Sequence, residues 1–269
     1  MPVGHEVDAR ATRGAATFAG AVVRLGLLVL ALALLLPLHL LGPRRSAHPS
    51  PAARSYLRIA RRLLRLRFHV EGVPAGDGAF LLVSNHVSWA DIMVLGSAFP
   101  GSFVAKSEVA GWPILGWLVR QHGTIFVERA RRGMAGQQRD AIADRLRSGS
   151  TVILFPEGTS SDGRQVLPFK SALFASAVSA SCAVQPVTIV WTAVGGRPVD
   201  ESNRRMVAWI DDMDLLPHVW DLLCAGGAEA RLICNPAVTG SDRRELALRS
   251  QESVTKGLEL YAADLRSDG

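Results

Sequence analysis

The chain has 269 residues and a formal net charge of +6, which is enough length for one large domain or two small ones. Its three cysteines, Cys182, Cys224 and Cys234, are odd in number and not closely paired, which argues against a disulfide framework or a zinc site. Residues 1–67 hold eleven arginines and two acidic residues, a net charge of +9, so residues 68–269 together carry −3. Because the basic character belongs to the N-terminal segment alone, we expect a contact with anionic membrane lipids and no binding of nucleic acid.

The N-terminal segment contains a long apolar run. Residues 1–15 are small and polar, and we expect them to be disordered. The stretch LGLLVLALALLLPLHLL at 25–41 would span roughly 26 Å as a helix, slightly less than the ~30 Å hydrocarbon core of a bilayer. The helix can extend back to Phe18 if the Arg24 side chain snorkels, and Pro37 can kink it. We predict a membrane segment, spanning or re-entrant, with a buried core helix as the alternative.

A basic helix is predicted next. After a proline-rich linker at 43–53, the stretch RSYLRIARRLLRLRF places arginines along one helical face and largely apolar side chains along the other. This pattern is typical of a helix lying on an anionic membrane surface, and an ordinary solvated helix is the alternative. Arginines are more abundant after the apolar run than before it, which places residues from 44 onward in the cytoplasm. The arginines of the basic face are Arg54, Arg58, Arg61, Arg62 and Arg65.

From Leu66 onward the hydrophobic period changes to that of strands alternating with helices. We therefore predict an α/β domain over residues 67–269, with a mixed sheet flanked by helices, following a membrane-associated helical segment at 16–66. The predicted strands are 66–70, 80–84, 101–106, 124–127, 151–155, 184–190, 206–210 and 230–234. The predicted helices are 89–98, 112–121, 132–147, 169–181 and about 242–265.

The stretch SNHVSWAD at 84–91 places a histidine at the junction between a strand and a helix. Ser88 and Asp91 match a capping pattern, so we expect His86 in the turn before the helix and Asp91 in its first turn. An aspartate there can reach back to the imidazole and make its far nitrogen a base. Asp91 as a cap alone, and His86 as an ordinary turn residue, remain the simpler alternatives.

Further along the chain, FPEGT at 155–159 ends another buried strand in a turn. Together with SNHVSWAD it resembles the glycerolipid acyltransferase family of the lysophosphatidic acid acyltransferase type. Asn85, His86 and Asp91 stand at the first family motif, N-H-x-x-x-x-D. The second motif stands as GTIFVER at 123–129, the third as FPEGT, and VQPVTI resembles the fourth. All four occur in the family's order, over about residues 66–235.

This resemblance implies transfer of an acyl chain from a thioester to a lysolipid hydroxyl at the cytoplasmic face of the bacterial inner membrane. His86 is the expected general base, oriented by Asp91. Arg129 is the expected phosphate contact, and Glu157, Gly158 and Thr159 are expected at the acceptor pocket. The resemblance implies no permanently bound cofactor and no metal; acyl carrier protein or coenzyme A would deliver the acyl chain.

One position departs from the family pattern. The family often reads FPEGTRS, whereas Ser160 here follows the threonine, so one cationic contact to phosphate is missing unless Arg164 or Lys170 supplies it. This longer form is similar to bacterial acyltransferases acting on lyso-ornithine lipid, whose acceptor has no phosphate. The sequence alone favours 1-acylglycerol-3-phosphate, because Arg129 is retained, with lyso-ornithine lipid as the alternative.

Two other classes compete with a transferase. A serine hydrolase would need an activated serine on a G-x-S-x-G elbow, and the chain has no such pentapeptide. A non-enzymatic membrane module would explain residues 16–66, but it gives no reason for histidine, aspartate and FPEGT to occur together. Both classes are therefore weaker hypotheses than acyl transfer.

Overall fold

The computed structural model describes residues 4–41, 50–74, 78–112, 115–127 and 135–267. Within these residues, eight strands form one mixed sheet in the order β1-β8-β6-β2-β5-β3-β4, and β7 pairs with the end of β6. The strands are β1 (Leu66–Glu71), β2 (Leu81–Ser84), β3 (Gly101–Lys106), β4 (Ile125–Val127), β5 (Thr151–Leu154), β6 (Val184–Val194), β7 (Arg197–Pro198) and β8 (Ala228–Cys234).

Strand β2 lies near the centre of the sheet, parallel to β5 on one side and to β6 on the other. All four residues of β2 are buried, and β5 is almost as fully buried, as expected for parallel strands covered on both faces. β8 runs antiparallel to β6 and parallel to β1, which makes the sheet mixed. The predicted fold class is therefore confirmed.

Helices cover both faces of the sheet. Successive β2 side chains alternate between two apolar clusters: Leu82 faces one, and Leu81 and Val83 face the other. Side chains of α1, α2, α3 and α7 complete the first cluster, and those of α5, α6 and α8 complete the second. The helices are α1 (Gly4–Leu41), α2 (Pro51–Leu63), α3 (Ala90–Ala98), α4 (Leu115–Gln121), α5 (Ala135–Arg147), α6 (Ala175–Ala180), α7 (Leu215–Ala225) and α8 (Arg243–Ser267).

Helix α1 begins at Gly4, within the segment expected to be disordered. Its stretch Phe18–Pro37 is long and apolar enough to cross a membrane, and only 6% of it is buried in the protein. Arg24 does not extend away from the protein, because its Nη2 donates to the Leu223 carbonyl on α7 at 2.9 Å. The helix is therefore attached to the domain by this polar contact, by the buried side chains of Ala21 and Leu28 and by a ring contact of Phe18, while most of its apolar surface stays exposed.

Helix α2 is capped by Ser50, whose hydroxyl accepts from the Ala53 N–H, and Pro51 occupies its first turn. Of the five arginines on the predicted basic face, Arg58, Arg62 and Arg65 are exposed, whereas Arg54 and Arg61 are partly buried. The Arg61 side chain turns inward, where its guanidinium lies 5.0 Å from the centre of the Phe68 ring. The long aliphatic stem of arginine makes such an inward position compatible with a charged head group.

In the region 204–225 the structure differs from the sequence prediction at two places. The strand expected at 206–210 is instead a 3-10 turn, Arg204–Met206, followed by a loop. Helix α7 has no counterpart among the predicted helices, because its apolar run is short and contains Pro217. Proline is tolerated at that point because the first backbone N–H groups of a helix have no partner within the helix.

Candidate active site

Two sequence motifs meet at the carboxyl ends of β2 and β5. In the parallel register Val83 pairs with Leu154, and His86 and Glu157 each lie three residues beyond this pair. The backbone N–H of His86 donates to Glu157 Oε2 at 3.3 Å, so the two segments are joined directly. The carboxyl edge of a parallel sheet is the usual place for ligand sites in α/β folds, and the structure brings SNHVSWAD and FPEGT together there.

His86 and Asp91 form a hydrogen-bonded pair. His86 Nδ1 lies 2.8 Å from Asp91 Oδ2, with the His86 side chain 17% exposed and the Asp91 side chain fully buried. Helix α3 begins at Ala90, so Asp91 lies in its first turn and reaches back to the preceding loop. A buried carboxylate on Nδ1 fixes the neutral imidazole in the Nδ1–H tautomer and leaves Nε2 with a free lone pair.

The loop before α3 is held by two acidic side chains, Asp91 and Glu157. Asp91 Oδ2 also accepts from the backbone N–H groups of Val87 at 2.7 Å and Ser88 at 2.8 Å. With Glu157 on the His86 N–H, three consecutive amides of the loop therefore donate to buried carboxyl groups. Asp91 thus both caps the helix and orients the imidazole, and these three amides are not available to bind an oxyanion.

Glu157 is a buried carboxyl with an altered acidity. Its Oε1 accepts from the Leu167 N–H at 3.1 Å, in addition to the bond from His86. Burial raises the pKa of Glu157 from 4.5 to about 8, with a smaller upward contribution from the Asp91 charge, while the two backbone N–H groups oppose this rise. Glu157 therefore carries a proton over much of the neutral pH range.

The imidazole is also fixed by an aromatic neighbour and by the following loop. The Phe155 ring stacks on the His86 ring with centroids 4.0 Å apart and an interplanar angle of 16°. The Ser161 N–H donates to the His86 carbonyl at 2.8 Å. The segment after β5 therefore contacts the ring and both backbone polar groups of His86, which restricts its orientation.

Asn85 has a structural position in the motif. Its side-chain amide donates to the Ile189 carbonyl at 3.0 Å and accepts from the Ile189 N–H at 2.8 Å. The side chain is fully buried, so both polar groups are satisfied by the backbone of β6. Asn85 therefore fixes the end of β2 against β6 and does not face the site.

The predicted substrate-binding residues differ in where they lie and in how far they are exposed. Gly158 has a φ of +79°, a left-handed conformation that glycine adopts without strain, at the turn after β5. Thr159 and Lys170 are exposed. Arg129 lies outside the described residues, two positions beyond the end of β4, so its predicted role stays a prediction.

Of the two candidate replacements for the missing family arginine, Arg164 is paired with acidic side chains, whereas the side chain of Lys170 is exposed. The Ser160 hydroxyl donates to the Trp209 carbonyl. Arg164 is engaged by Glu201 at 2.7 Å and by Asp162 at 3.4 Å on the surface. Lys170 is attached to the turn through its backbone, because its N–H donates to the Pro156 carbonyl at 3.0 Å.

Sequence reasoning missed one residue that contacts the pair. The Trp191 indole donates to Asp91 Oδ1 at 2.8 Å from strand β6. The two residues lie 100 positions apart, and a tryptophan in a buried strand gives no local signal of such a contact. In the described part of the chain, no group of three histidine, cysteine or acidic side chains could hold a metal ion.

Comparison with known proteins agrees with this arrangement. A family model described as Acyltransferase matches residues 65–190. The lyso-ornithine lipid O-acyltransferase of Brucella abortus is 41% identical over 75% of this chain and 79% of its own length. The 1-acyl-sn-glycerol-3-phosphate acyltransferase of Neisseria meningitidis is 32% identical over 67% of this chain and 70% of its own length. The chain belongs to the acyltransferase family.

A solved structure has the same fold. The crystal structure of the 1-acyl-sn-glycerophosphate acyltransferase PlsC from Thermotoga maritima superposes with a TM-score of 0.64, covering 94% of this chain and 98% of that one. The two sequences are 24% identical, so this likeness concerns the fold alone. The likeness agrees with the mixed sheet and the flanking helices described above.

Proposed function

We propose that the chain transfers a fatty acyl group from a thioester donor to the free hydroxyl of a lysolipid, with His86 as general base. The observation that carries the proposal is the 2.8 Å contact between His86 Nδ1 and the buried Asp91 carboxylate. It leaves Nε2 as the basic nitrogen of a partly exposed ring, beside two segments that match a family of acyltransferases.

The proposed reaction moves one proton through His86. Nε2 takes the proton of the acceptor hydroxyl, and the oxygen attacks the thioester carbonyl to form a tetrahedral intermediate. When the intermediate collapses, the C–S bond breaks and the leaving thiolate takes the proton from the imidazolium. Asp91 stabilises the transient positive charge, and no acyl-enzyme forms.

Glu157 acts in this proposal by fixing the main chain of His86 and the turn after β5. Its bond to the His86 N–H supports this position. Gly158 and Thr159 are proposed to line the acceptor pocket, because they follow Glu157 at the same edge of the sheet. Lys170 is proposed to lie at its exposed rim, where its backbone joins Pro156.

For the acceptor we propose lyso-ornithine lipid ahead of 1-acylglycerol-3-phosphate, the reverse of the order that the sequence alone favours. Ser160 stands in place of the family's arginine and donates to the Trp209 carbonyl, while Arg164 is paired with acidic side chains. Relatives with 38–41% identity carry the name lyso-ornithine lipid O-acyltransferase, including one from Rhodobacter capsulatus. Arg129 and the Neisseria relative support the phosphate acceptor as the second candidate.

We further propose that acyl carrier protein or coenzyme A delivers the acyl chain, and that the enzyme works at the cytoplasmic face of the bacterial inner membrane. The exposed apolar surface of α1 and the exposed Arg58 and Arg62 of α2 support contact with anionic lipids. The division into segments 1–15, 16–66 and 67–269 remains a prediction.

Thiol release from acyl-coenzyme A and from acyl-acyl carrier protein tests the reaction. Release that requires a lysolipid supports a transferase, whereas release without an acceptor supports a hydrolase. His86→Ala should lower turnover by about 10²-fold or more while the protein stays folded. A folded and fully active His86→Ala enzyme contradicts the proposal.

The two acceptors can be separated on the same protein. We expect lyso-ornithine lipid to be the better acceptor, and Arg129→Ala to reduce its use less than it reduces use of 1-acylglycerol-3-phosphate. A phosphate contact is charge-assisted, so its loss should weaken use of the phosphate acceptor roughly 10- to 150-fold. Exclusive use of 1-acylglycerol-3-phosphate would reverse the proposed order.

A further inference from the structure

A cavity lies between α7 and the loop that follows the 3-10 turn Arg204–Met206. Its volume is about 560 Å³, within the range of small-molecule sites. Apolar walls with a few polar groups are typical of such sites. The lining includes Arg205, Met206, Met213, His218, Asp221 and Cys224.

Two hydrogen bonds join this cavity to the loop that carries His86. The Trp209 N–H donates to the Val87 carbonyl at 2.9 Å, which attaches one wall of the cavity to the residue after His86. The Trp89 indole donates to His218 Nδ1 at 2.9 Å, which attaches the other wall two residues before Asp91. The elements that form the cavity are therefore hydrogen-bonded to the loop that carries His86.

His218 is an enclosed side chain in the α7 wall of the cavity. Because Nδ1 accepts from Trp89, the neutral ring carries its hydrogen on Nε2. His218 is only 3% exposed, and its ring N–H is enclosed and faces the backbone carbonyls of Arg205 and Ala208. Burial lowers the pKa of His218, although the backbone of Arg205 and Ala208 and the charge of Asp221 oppose this effect, so the ring is held neutral at pH 7.

Opposite charges line the cavity. Asp221 lies one helical turn after His218 on α7, and the structure describes no ion pair for its carboxylate. Arg205 lies on the loop side, and its guanidinium makes only a long contact, 3.4 Å, with the exposed Asp211. The cavity therefore offers one cation and one anion to a ligand.

We propose that this cavity binds the zwitterionic amino-acid head group of the acceptor lipid, with the head-group carboxylate at Arg205 and its ammonium at Asp221. This assignment rests on the proposed function and names the acceptor class for the same site. A free carboxylate and a side-chain ammonium are the charged groups of an N-acylated ornithine, whereas a phosphate monoester has no cation to place at Asp221.

The position of α1 fits entry of such a lipid from a membrane. Phe18 of α1 contacts the Trp220 ring of α7 edge to face, with centroids 5.5 Å apart, and Leu216 of α7 is 74% exposed. The exposed apolar surface of α1 and the cavity are therefore joined through one helix. A lipid whose chains stay in the bilayer can present its head group to α7.

Two charge-removing variants test the proposal on the full-length protein in lipid nanodiscs. Asp221→Asn and Arg205→Gln should each raise the KM for lyso-ornithine lipid about tenfold, the change expected for 1.4 kcal/mol, with a smaller change in kcat. Asp221→Asn should not raise the KM for 1-acylglycerol-3-phosphate. Asp212→Asn and Arg197→Gln are matched controls, because both residues are exposed and neither lines the cavity.

Direct binding separates failure of this proposal from failure of the proposed acceptor. In the His86→Ala background, the Kd for lyso-ornithine lipid should rise about tenfold on adding Asp221→Asn. An unchanged Kd, or KM changes that are equal for both acceptors, overturns the head-group site. If the KM changes depend on the acyl-chain length of the acceptor and not on its head group, the cavity binds a hydrocarbon chain, and the proposed head-group site is overturned. Absence of transfer to a lipid that still binds through Asp221 would refute the acceptor and leave the site standing.

Discussion

The Trp191 indole donates to Asp91 Oδ1 at 2.8 Å, on the carboxylate oxygen that His86 does not contact. The other oxygen, Oδ2, accepts from His86 Nδ1 and from the amides of Val87 and Ser88. The carboxylate is therefore held from the sheet on one side and from the loop on the other. This double anchorage fixes the orientation of Asp91 through local contacts in the loop and one contact, from Trp191, that is remote in sequence.

Replacing the indole tests this anchorage. Trp191→Phe leaves Asp91 Oδ1 buried without its donor, which should lower the free energy of unfolding by about 1–3 kcal/mol. Turnover should fall by less than about tenfold, well below the loss for His86→Ala, because the contact between His86 and Oδ2 remains. Urea unfolding and steady-state kinetics measure the two effects. Trp220→Phe is the control, and equal stability of the two variants would argue against the role of Trp191.

Asp91→Asn has a larger predicted effect than the motif alone suggests. A simple capping role would leave both stability and rate nearly unchanged, since asparagine caps helices well. In the structure four N–H donors surround the carboxylate, and an asparagine amide has to turn its NH2 group toward some of them. We expect a stability loss of at least about 1–3 kcal/mol and a fall in turnover of about 10²-fold or more. Wild-type turnover in a folded Asp91→Asn protein would refute the orienting role.

Local sequence patterns predicted most of the sheet and the site, because each of those features is encoded within a few residues. The buried run of β2, the turn at His86 and the capping pattern at Asp91 are all local, and parallel strands bring their carboxyl ends together. The Trp191 and His218 contacts join residues 100 and 129 positions apart, so no local pattern reports them.

The two predictions that the structure contradicts, a strand at 206–210 and an exposed Arg61, failed because of tertiary contacts. The apolar residues at 206–210 resemble a strand, but the Trp209 N–H is bound to the loop after β2, so the segment does not join the sheet. Helical spacing alone predicts Arg61 on the basic face, but its guanidinium lies over the Phe68 ring and donates to the Leu66 carbonyl. In both cases a tertiary contact outweighed the local pattern.

The acidity of Glu157 should appear in the pH dependence of stability. Its pKa is raised from 4.5 to about 8, so the folded protein binds a proton that the unfolded chain releases. This contribution to stability is fully present below pH 4.5 and is lost as the pH rises toward 8. At low pH, Glu157→Gln should be less stable than the wild type, because one backbone N–H loses its acceptor. Between pH 4.5 and about 8, the stability of Glu157→Gln should change less than that of the wild type.

Urea midpoints of both proteins between pH 4.5 and pH 8 measure this difference. Other groups titrate in both proteins, so the difference between the two curves isolates Glu157. Glu252→Gln on α8, where the side chain is exposed, is the control. Parallel curves for the wild type and Glu157→Gln would show that the Glu157 pKa is not raised.

Membrane contact through α1 can be tested without deleting the helix. Deletion would expose the buried surfaces of α2 and α7, whereas Leu30 and Leu34 are already 51% and 68% exposed, so charging them should leave the fold intact. Each apolar side chain contributes about 1.5–3 kcal/mol when it is fully buried, so Leu30→Asp with Leu34→Asp should lower partitioning onto anionic vesicles by about 10²-fold or more. Leu248→Asp with Leu260→Asp on α8 is the matched control, with both side chains 57% exposed. Vesicle flotation measures the bound fraction. Full retention of the α1 double variant on vesicles would place the membrane contact on another surface, and equal release of both pairs would indicate a general effect of added negative charge.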